Sequence, residues 1–200
     1  MASDERIERL RTVLHNRQID LKVILEDIHD PHNVNAIYRS CEAVGIMDVI
    51  LLYVKQEFPE IKFHSSGSAC KWIDLHKFSD PLEIIPNLKK EGYQIYSLVL
   101  DENAEKIYDV DWTKPSAIIV GNEHSGVSAE SQKLSTNNLY IPMNGIVESL
   151  NVSVATAVTL YEAFRQRKEN NQYPNKNIEE EWLERKLQKW IINKNEFKSL

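Results

Sequence analysis

The chain has 200 residues, 42% hydrophobic and 27% charged, with a formal net charge of −6 at neutral pH. These are the proportions of a globular protein with room for one ordinary domain and an appendage. They argue against a uniformly basic nucleic-acid-binding surface, and no apolar run is long enough to span a bilayer.

In chain order, residues 4–17 predict a short amphipathic helix with Ile7, Leu10 and Leu14 on one side. The acidic start Met-Ala-Ser-Asp-Glu lacks a signal-peptide pattern. Lys22–Glu26 and Asp48–Val54 are β-branched runs that flank a predicted helix over 31–44. Asp30 supplies an N-cap carboxylate and Pro31 a preset first turn. Val34, Ile37, Cys41 and Val44 then face a core at helical spacing, Asn35, Arg39 and Glu42 share the other face, and Gly45 stops the helix. Trp72–Phe78 is a candidate strand. Pro81–Glu91 reads as a helix capped by Asp80 and stopped by Gly92. Tyr93–Leu100 and Ser116–Val120 are near-continuous apolar strands, as expected where both faces of a sheet are covered. A short helix over Ala129–Leu134 and a strand over Asn138–Ile141 follow.

Pro142 and Gly145 then lead to a helix whose first half is Leu150, Val152, Val154, Ala155, Ala157, Val158, Leu160, Tyr161, Ala163 and Phe164. A helix apolar nearly all round is expected to be buried. Ser149 and Asn151 stand at its opening, where side-chain oxygens can cap backbone donors. Lys168–Asn177 is polar and contains Pro174, a linker signal. Ile178–Asn193 reads as a final amphipathic helix carrying Trp182, Leu183, Leu187, Trp190 and Ile191.

Alternating strands and helices imply a parallel α/β sheet with right-handed crossovers. No G-x-G-x-x-G follows the first strand and no P-loop is present, which counts against a dinucleotide or nucleoside-triphosphate site at the usual place. The six histidines form no H-x-x-x-H pair, so no metal site is expected. Cys41 and Cys70 have no C-x-x-C neighbour and read as reduced packing residues of a cytosolic protein. Cations cluster at Arg6, Arg9, Arg11 and Arg17, and again from Arg165 and Arg167 through Lys168, Lys176, Arg185, Lys186, Lys189, Lys194 and Lys198. Runs of this kind are either a solvated helix face, as Glu179, Glu180, Glu181 and Glu184 suggest, or a phosphate-binding surface.

Three ordered segments carry a resemblance. Asp30-Pro31-His32-Asn33-Val34-Asn35-Ala36-Ile37-Tyr38-Arg39-Ser40-Cys41-Glu42-Ala43-Val44-Gly45, Val120-Gly121-Asn122-Glu123-His124-Ser125-Gly126-Val127, and Ile141 through Ala155 with its Ser149-Leu150-Asn151 resemble the three motifs of the SPOUT class of RNA methyltransferases, in its TrmH-type 2′-O-methylating group. The resemblance covers residues 20–167. It implies an α/β-knot fold, a mainly parallel sheet flanked by helices with a C-terminal trefoil knot around residues 115–165. It also implies a helical extension at 1–19, a methyltransferase domain at 20–167 and a second helical extension at 168–200.

The same resemblance implies S-adenosyl-L-methionine as cofactor, a homodimer with a composite active site, and RNA contact by the basic tails. His-Asn-Val-Asn-Ala-Ile, Ser-Leu-Asn-Val-Ser-Val-Ala and the downstream Tyr-Glu-Ala-Phe-Arg-Gln-Arg are similar to the members that methylate guanosine 18 in the D-loop of tRNA. An rRNA 2′-O-methyltransferase is the alternative within the class, and a non-catalytic RNA-binding module the alternative outside it. Carried over by motif, Arg39, Asn33, Glu123, Ser149 and Asn151 are the catalytic candidates. Leu98, Val99, Gly121, Ile141 and Leu150 would hold the cofactor. The family's arginine is often described as a general base. A guanidinium with a pKa above about 12 is a poor base near neutrality, which favours clamping of a phosphate with Asn33 orienting Arg39. The family often has Lys where His124 stands, so that side chain receives no role. Ser65-Ser66-Gly67-Ser68-Ala69 matches a small-residue segment placed near the partner's site.

Overall fold

The structure is a computed structural model that describes residues 3–58 and 69–196, the last four as backbone only. Ser65–Ser68 and the side chain of Lys194 therefore lie outside the described residues.

Seven strands form one sheet in the order β3-β2-β1-β6-β4-β7-β5. They are β1 (Leu21–Glu26), β2 (Asp48–Leu52), β3 (Asp74–Phe78), β4 (Gln94–Leu98), β5 (Glu105–Lys106), β6 (Ser116–Val120) and β7 (Asn137–Tyr140), and every ladder is parallel. Parallel neighbours need crossovers, and the chain supplies helical ones with α2 (Pro31–Ala43), α3 (Pro81–Lys90) and α4 (Ala129–Leu134), while α5 (Val152–Glu169) follows the last strand and packs on the sheet. Side chains alternate between two cores. Val23, Leu25, Val49, Leu51, Ile118 and Val120 face α2 and α5, whereas Ile24, Ile50, Leu52, Ala117 and Ile119 face α3 and α4. This double burial is why the central strands carry almost no polar residues.

Local chemistry sets the helix ends. Asp30 and Asp80 each accept a backbone N–H two residues on, from His32 and Leu82, and each is followed by proline. Gly45 sits at φ 86°, where a β-carbon would also come within 2.6 Å of the Asn16 carbonyl oxygen, so α2 ends there for two reasons.

Four expectations change. The last core helix begins at Val152, not at Ser149, because Asn151 is the residue whose Oδ1 caps it. That helix is not buried all round within one chain: Thr156, Thr159, Leu160, Ala163 and Arg167 are buried, but Val154 and Tyr161 are about half exposed. Asn35, placed by periodicity on the polar face of α2, is buried at 6% exposure. The two-residue β5 was not expected, since an edge strand that short has no periodicity to read.

The two basic tails pack on one another. The C-terminal helix α6 (Glu180–Glu196) lies on α1 (Asp4–His15), burying Leu10, Leu14, Met47, Leu183, Leu187 and Trp190 together. Each such side chain is worth about 2 kcal/mol relative to exposure. Several cations of the basic clusters have acidic partners within the chain. Lys186 and Lys189 both reach Asp74, Arg11 reaches Glu180 and Glu184, and Arg165 is held by Glu162 and Glu169. Arg17 is fully buried, bonded to Glu42 and stacked over Trp190 at 5.2 Å. Arg167 is buried as well, donating to Asp20 at 2.6 Å, to Gln18 at 3.0 Å and to the carbonyls of Trp112 and Lys114.

Candidate active site

In an open parallel sheet, ligands collect beyond the carboxyl ends of the strands where the strand order reverses. Here β2 and β3 lie to one side of β1, and β6, β4, β7 and β5 to the other. A cavity of ≈ 300 Å³ opens at the ends of β4 and β6 and the start of α5. Its apolar wall is Leu98, Val99, Leu100, Leu150, Val152 and Ala155, and its polar side is Asn122, Glu123, Ser149 and Asn151. A small recess of ≈ 40 Å³ shares the wall of Leu98, Val99, Leu100 and Leu150 and adds Ile141 and Met143. A larger cavity of ≈ 480 Å³ lies elsewhere, at the far ends of α1, α2 and α5, where the Arg17 guanidinium already holds Glu42. It collects none of the candidate catalytic or cofactor residues.

The five residues expected to hold a cofactor thus line these two adjoining cavities, Gly121 the larger and Ile141 the smaller. Gly121 does so because no other residue fits: a β-carbon there would lie 2.2 Å from the carbonyl carbon of Gly126 and the nitrogen of Val127. The loop closes on itself, with Gly126 N–H donating to the Asn122 carbonyl at 2.8 Å and Gly126 at φ 68°.

The three motifs meet in one hydrogen-bonded chain. Asn151 Nδ2 donates to Asn33 Oδ1 at 3.0 Å, and Asn33 Nδ2 donates to Glu123 Oε1 at 2.8 Å. Glu123 also accepts the backbone N–H groups of His29 at 3.0 Å and Asp30 at 3.2 Å. At the other end Asn151 Oδ1 accepts from the amide and hydroxyl of Ser153, at 2.9 and 2.6 Å. Partial burial pushes the Glu123 carboxyl up, but the Asn33 amide and the two backbone donors outweigh it, leaving the group below the usual carboxylate range. Glu123 is therefore a fixed anion at neutral pH, suited to holding loops rather than to taking a proton.

Two expected placements differ. Asn33 does not orient Arg39: six residues along an α-helix leave the two side chains roughly 120° apart, and Asn33 spends its amide on Glu123 and Asn151. Arg39 is exposed on α2, does not line the cavity, and makes no hydrogen bond or ion pair among the described residues. Ser149 lines the cavity but is exposed and does not cap α5.

Sequence reasoning missed two buried acids at the end of β1. Glu26 accepts from the amide and hydroxyl of Ser128 and from the Ser131 hydroxyl, anchoring the start of α4 behind the second motif. Asp27 accepts three successive backbone N–H groups, of Val54, Lys55 and Gln56. The only signal was a pair of carboxylates directly after an apolar strand. No group of three or more His, Cys, Asp or Glu among the described residues could hold a metal ion.

The sheet, the switch-point cavity and the motif bridge define a SPOUT-type methyltransferase fold, and the comparisons agree. The SpoU rRNA Methylase family matches residues 20–161, and the chain belongs to that family. A relative from Thermus thermophilus, a tRNA (guanosine(18)-2'-O)-methyltransferase, is 39% identical over 94% of this chain and 97% of its own length. The solved structure of the TrmH/SpoU tRNA modifying enzyme of A. aeolicus superposes with a TM-score of 0.89, at 36% identity, covering 96% of this chain and 97% of that one. The SpoU methyltransferase AviRb of Streptomyces viridochromogenes, solved in complex with the cofactor AdoMet, gives a TM-score of 0.67 at 26% identity, covering 76% and 59%.

Proposed function

We propose that this chain is an S-adenosyl-L-methionine-dependent RNA ribose 2′-O-methyltransferase whose substrate is guanosine 18 in the D-loop of tRNA. The observation that carries the reading is the Asn151–Asn33–Glu123 bridge, which ties all three motifs together at the rim of one cavity. The full-length similarity to the tRNA-directed relative supports tRNA over rRNA.

The residues fit the cofactor. The cavity is of ligand size, with an aliphatic wall for an adenine ring and bare backbone at Gly121 for close approach. When bound, S-adenosyl-L-methionine supplies an electrophilic methyl group on its sulfonium. The protein's part is positioning. Leu98, Val99, Ile141 and Leu150 shape the apolar recess. Glu123 holds the start of α2 against the second-motif loop, and Asn33 and Asn151 hold the opening of α5 beside it. Arg39 clamps a phosphate next to the target ribose as a bidentate donor, and the hydroxyl proton leaves to a phosphate oxygen or water.

An exposed Arg39 that does not line its own chain's cavity fits a homodimer in which one subunit's arginine serves the partner's site. The uncovered apolar residues Ile146, Val147, Val154 and Tyr161 support the same assembly. Sedimentation equilibrium at micromolar concentration tests it, and a monomer would remove the composite site. The division into extensions 1–19 and 168–200 around a domain at 20–167, and a knot around 115–165, belong to this reading. So does a cytosolic enzyme, since that is where its tRNA substrate is found. No described helix is long and apolar enough to cross a membrane. The decisive experiment incubates the protein with labelled cofactor and separate pools of tRNA and rRNA, then maps the methylated ribose. Methylation of rRNA alone would select the alternative substrate, and cofactor binding without any transfer would leave an RNA-binding module.

A further inference from the structure

We propose that Asp27 is a positioning residue for the cofactor cavity, acting through Asn122. The inference rests on the reading above and adds a residue that lies in none of the three motifs.

Asp27 directly follows β1 and is buried at 9% exposure, at φ 50° in the left-handed region that residues with a β-carbon rarely adopt. Its side chain shows what holds it there. Oδ1 accepts the backbone N–H groups of Val54, Lys55 and Gln56 at 2.9, 3.1 and 3.1 Å, and Oδ2 shares the Lys55 amide at 3.3 Å. Three successive amides converging on one carboxylate make an anion nest, filled here by the protein's own charge. The Asp27 amide donates to the Leu52 carbonyl at 3.0 Å, and Tyr53 Oη donates to the Ile28 carbonyl at 2.9 Å, so the residue is fixed from both sides.

The consequence lies on the other side of the backbone. In this conformation the Asp27 carbonyl accepts Asn122 Nδ2 at 2.8 Å. That bond orients the Asn122 amide so that its Oδ1 accepts the N–H groups of His124 at 2.9 Å and Ser125 at 3.2 Å. Asn122, His124 and Gly126 line the cavity, and Asp27 does not. The clamp on residues 54–56 thus sets the backbone of Asp27, its carbonyl sets Asn122, and Asn122 sets the loop that walls the cavity. A residue that merely pinned the turn after β2 would be indifferent to that loop.

The test titrates S-adenosyl-L-methionine by calorimetry into the full chain and the variants Asp27→Ala, Asp27→Asn, Asn122→Ala and the Asp27→Asn/Asn122→Ala pair. Asp27→Ala is expected to weaken cofactor binding about ten-fold, the scale seen when a group that orients a binding residue is lost, with a much smaller fall in kcat at saturating cofactor. Asp27→Asn should recover part of the loss, because asparagine tolerates positive φ and keeps one acceptor oxygen. The paired variant should bind no worse than Asn122→Ala alone, since both changes break one chain of contacts. Wild-type affinity in Asp27→Asn and Asp27→Ala overturns the proposal. If Asp27→Ala does not fold, wild-type affinity in Asp27→Asn alone does so, as do losses that multiply in the paired variant. Failure of the unaltered protein to bind would sink the cofactor reading itself, and this inference with it.

Discussion

Replacing Glu123 by glutamine tests whether the bridge between the motifs depends on a charge. The carboxylate accepts three hydrogen bonds, from Asn33, His29 and Asp30. Bonds to an ionised acceptor are worth about 1.5–3 kcal/mol each, against about 1 for neutral pairs. A glutamine can keep Oε1 toward Asn33 and Asp30, but its amide nitrogen then meets the His29 N–H donor to donor. Discounting for partial solvent access, the loss is about 2–3 kcal/mol at neutral pH. The pH dependence carries a definite sign. The folded-state pKa of Glu123 lies below its ordinary value of 4.5, so its contribution is fully present above pH 4.5 and fades as the pH falls through the folded value. Urea denaturation of both proteins from pH 7 downward should show the gap narrowing only below about pH 4.5. A gap that stays constant through that range would mean the charge contributes nothing and the bridge is only a packing contact.

Arg39→Ala should abolish methyl transfer while leaving calorimetric cofactor affinity nearly unchanged, and Arg39→Lys should fail as well, because a point charge cannot reproduce the bidentate fork. Loss of cofactor affinity in either variant would put Arg39 in the wrong place. Gly121→Ala should cost at least about 2 kcal/mol in thermal or urea unfolding and weaken cofactor binding, since its β-carbon would run into immovable backbone at Gly126. Exchanging Lys186 and Lys189 for alanine should lower the slope of the salt dependence of tRNA binding by no more than about one unit in all, because the single charge of Asp74 already answers one of the two ammonium groups. A slope lower by about one unit for each lysine would show that they reach phosphate after all.

The elements that sequence reading located best were those decided by local chemistry. The Asp30-Pro31 and Asp80-Pro81 starts, the Gly45 stop and the strand Ser116–Val120 need only neighbouring residues to be recognised. The cavity wall was legible through resemblance alone, since nothing in Leu98, Val99 or Leu150 distinguishes a pocket lining from a core. What stayed hidden depends on tertiary partners. Arg17 and Arg167 look like members of basic clusters, yet their acids, Glu42 and Asp20, lie far along the chain. Asn35 breaks the helical pattern of α2 as a buried amide at a position that periodicity alone assigns to the polar face. Asp27 belongs to no periodic pattern at all. The apolar residues of α5 are plain in the sequence, but which of them the fold buries is not: Val154 and Tyr161 stay about half exposed.

The pairing of α1 with α6 has a consequence for synthesis. Arg11 and Glu184 are 173 positions apart, so α1 leaves the ribosome long before its partner exists. At about 5–20 residues per second, roughly ten to thirty-five seconds pass before α6 is complete. Throughout that interval Leu10 and Leu14 lack most of the cluster that covers them in the finished fold. A newborn chain of this protein therefore presents a greasy helix to the crowd around it, and a holdase that binds short amphipathic segments would find its target there. The two helices are joined only after α6 has been made. A stalled or truncated product would keep that sticky surface permanently, which marks it out for proteolysis while the finished chain is spared.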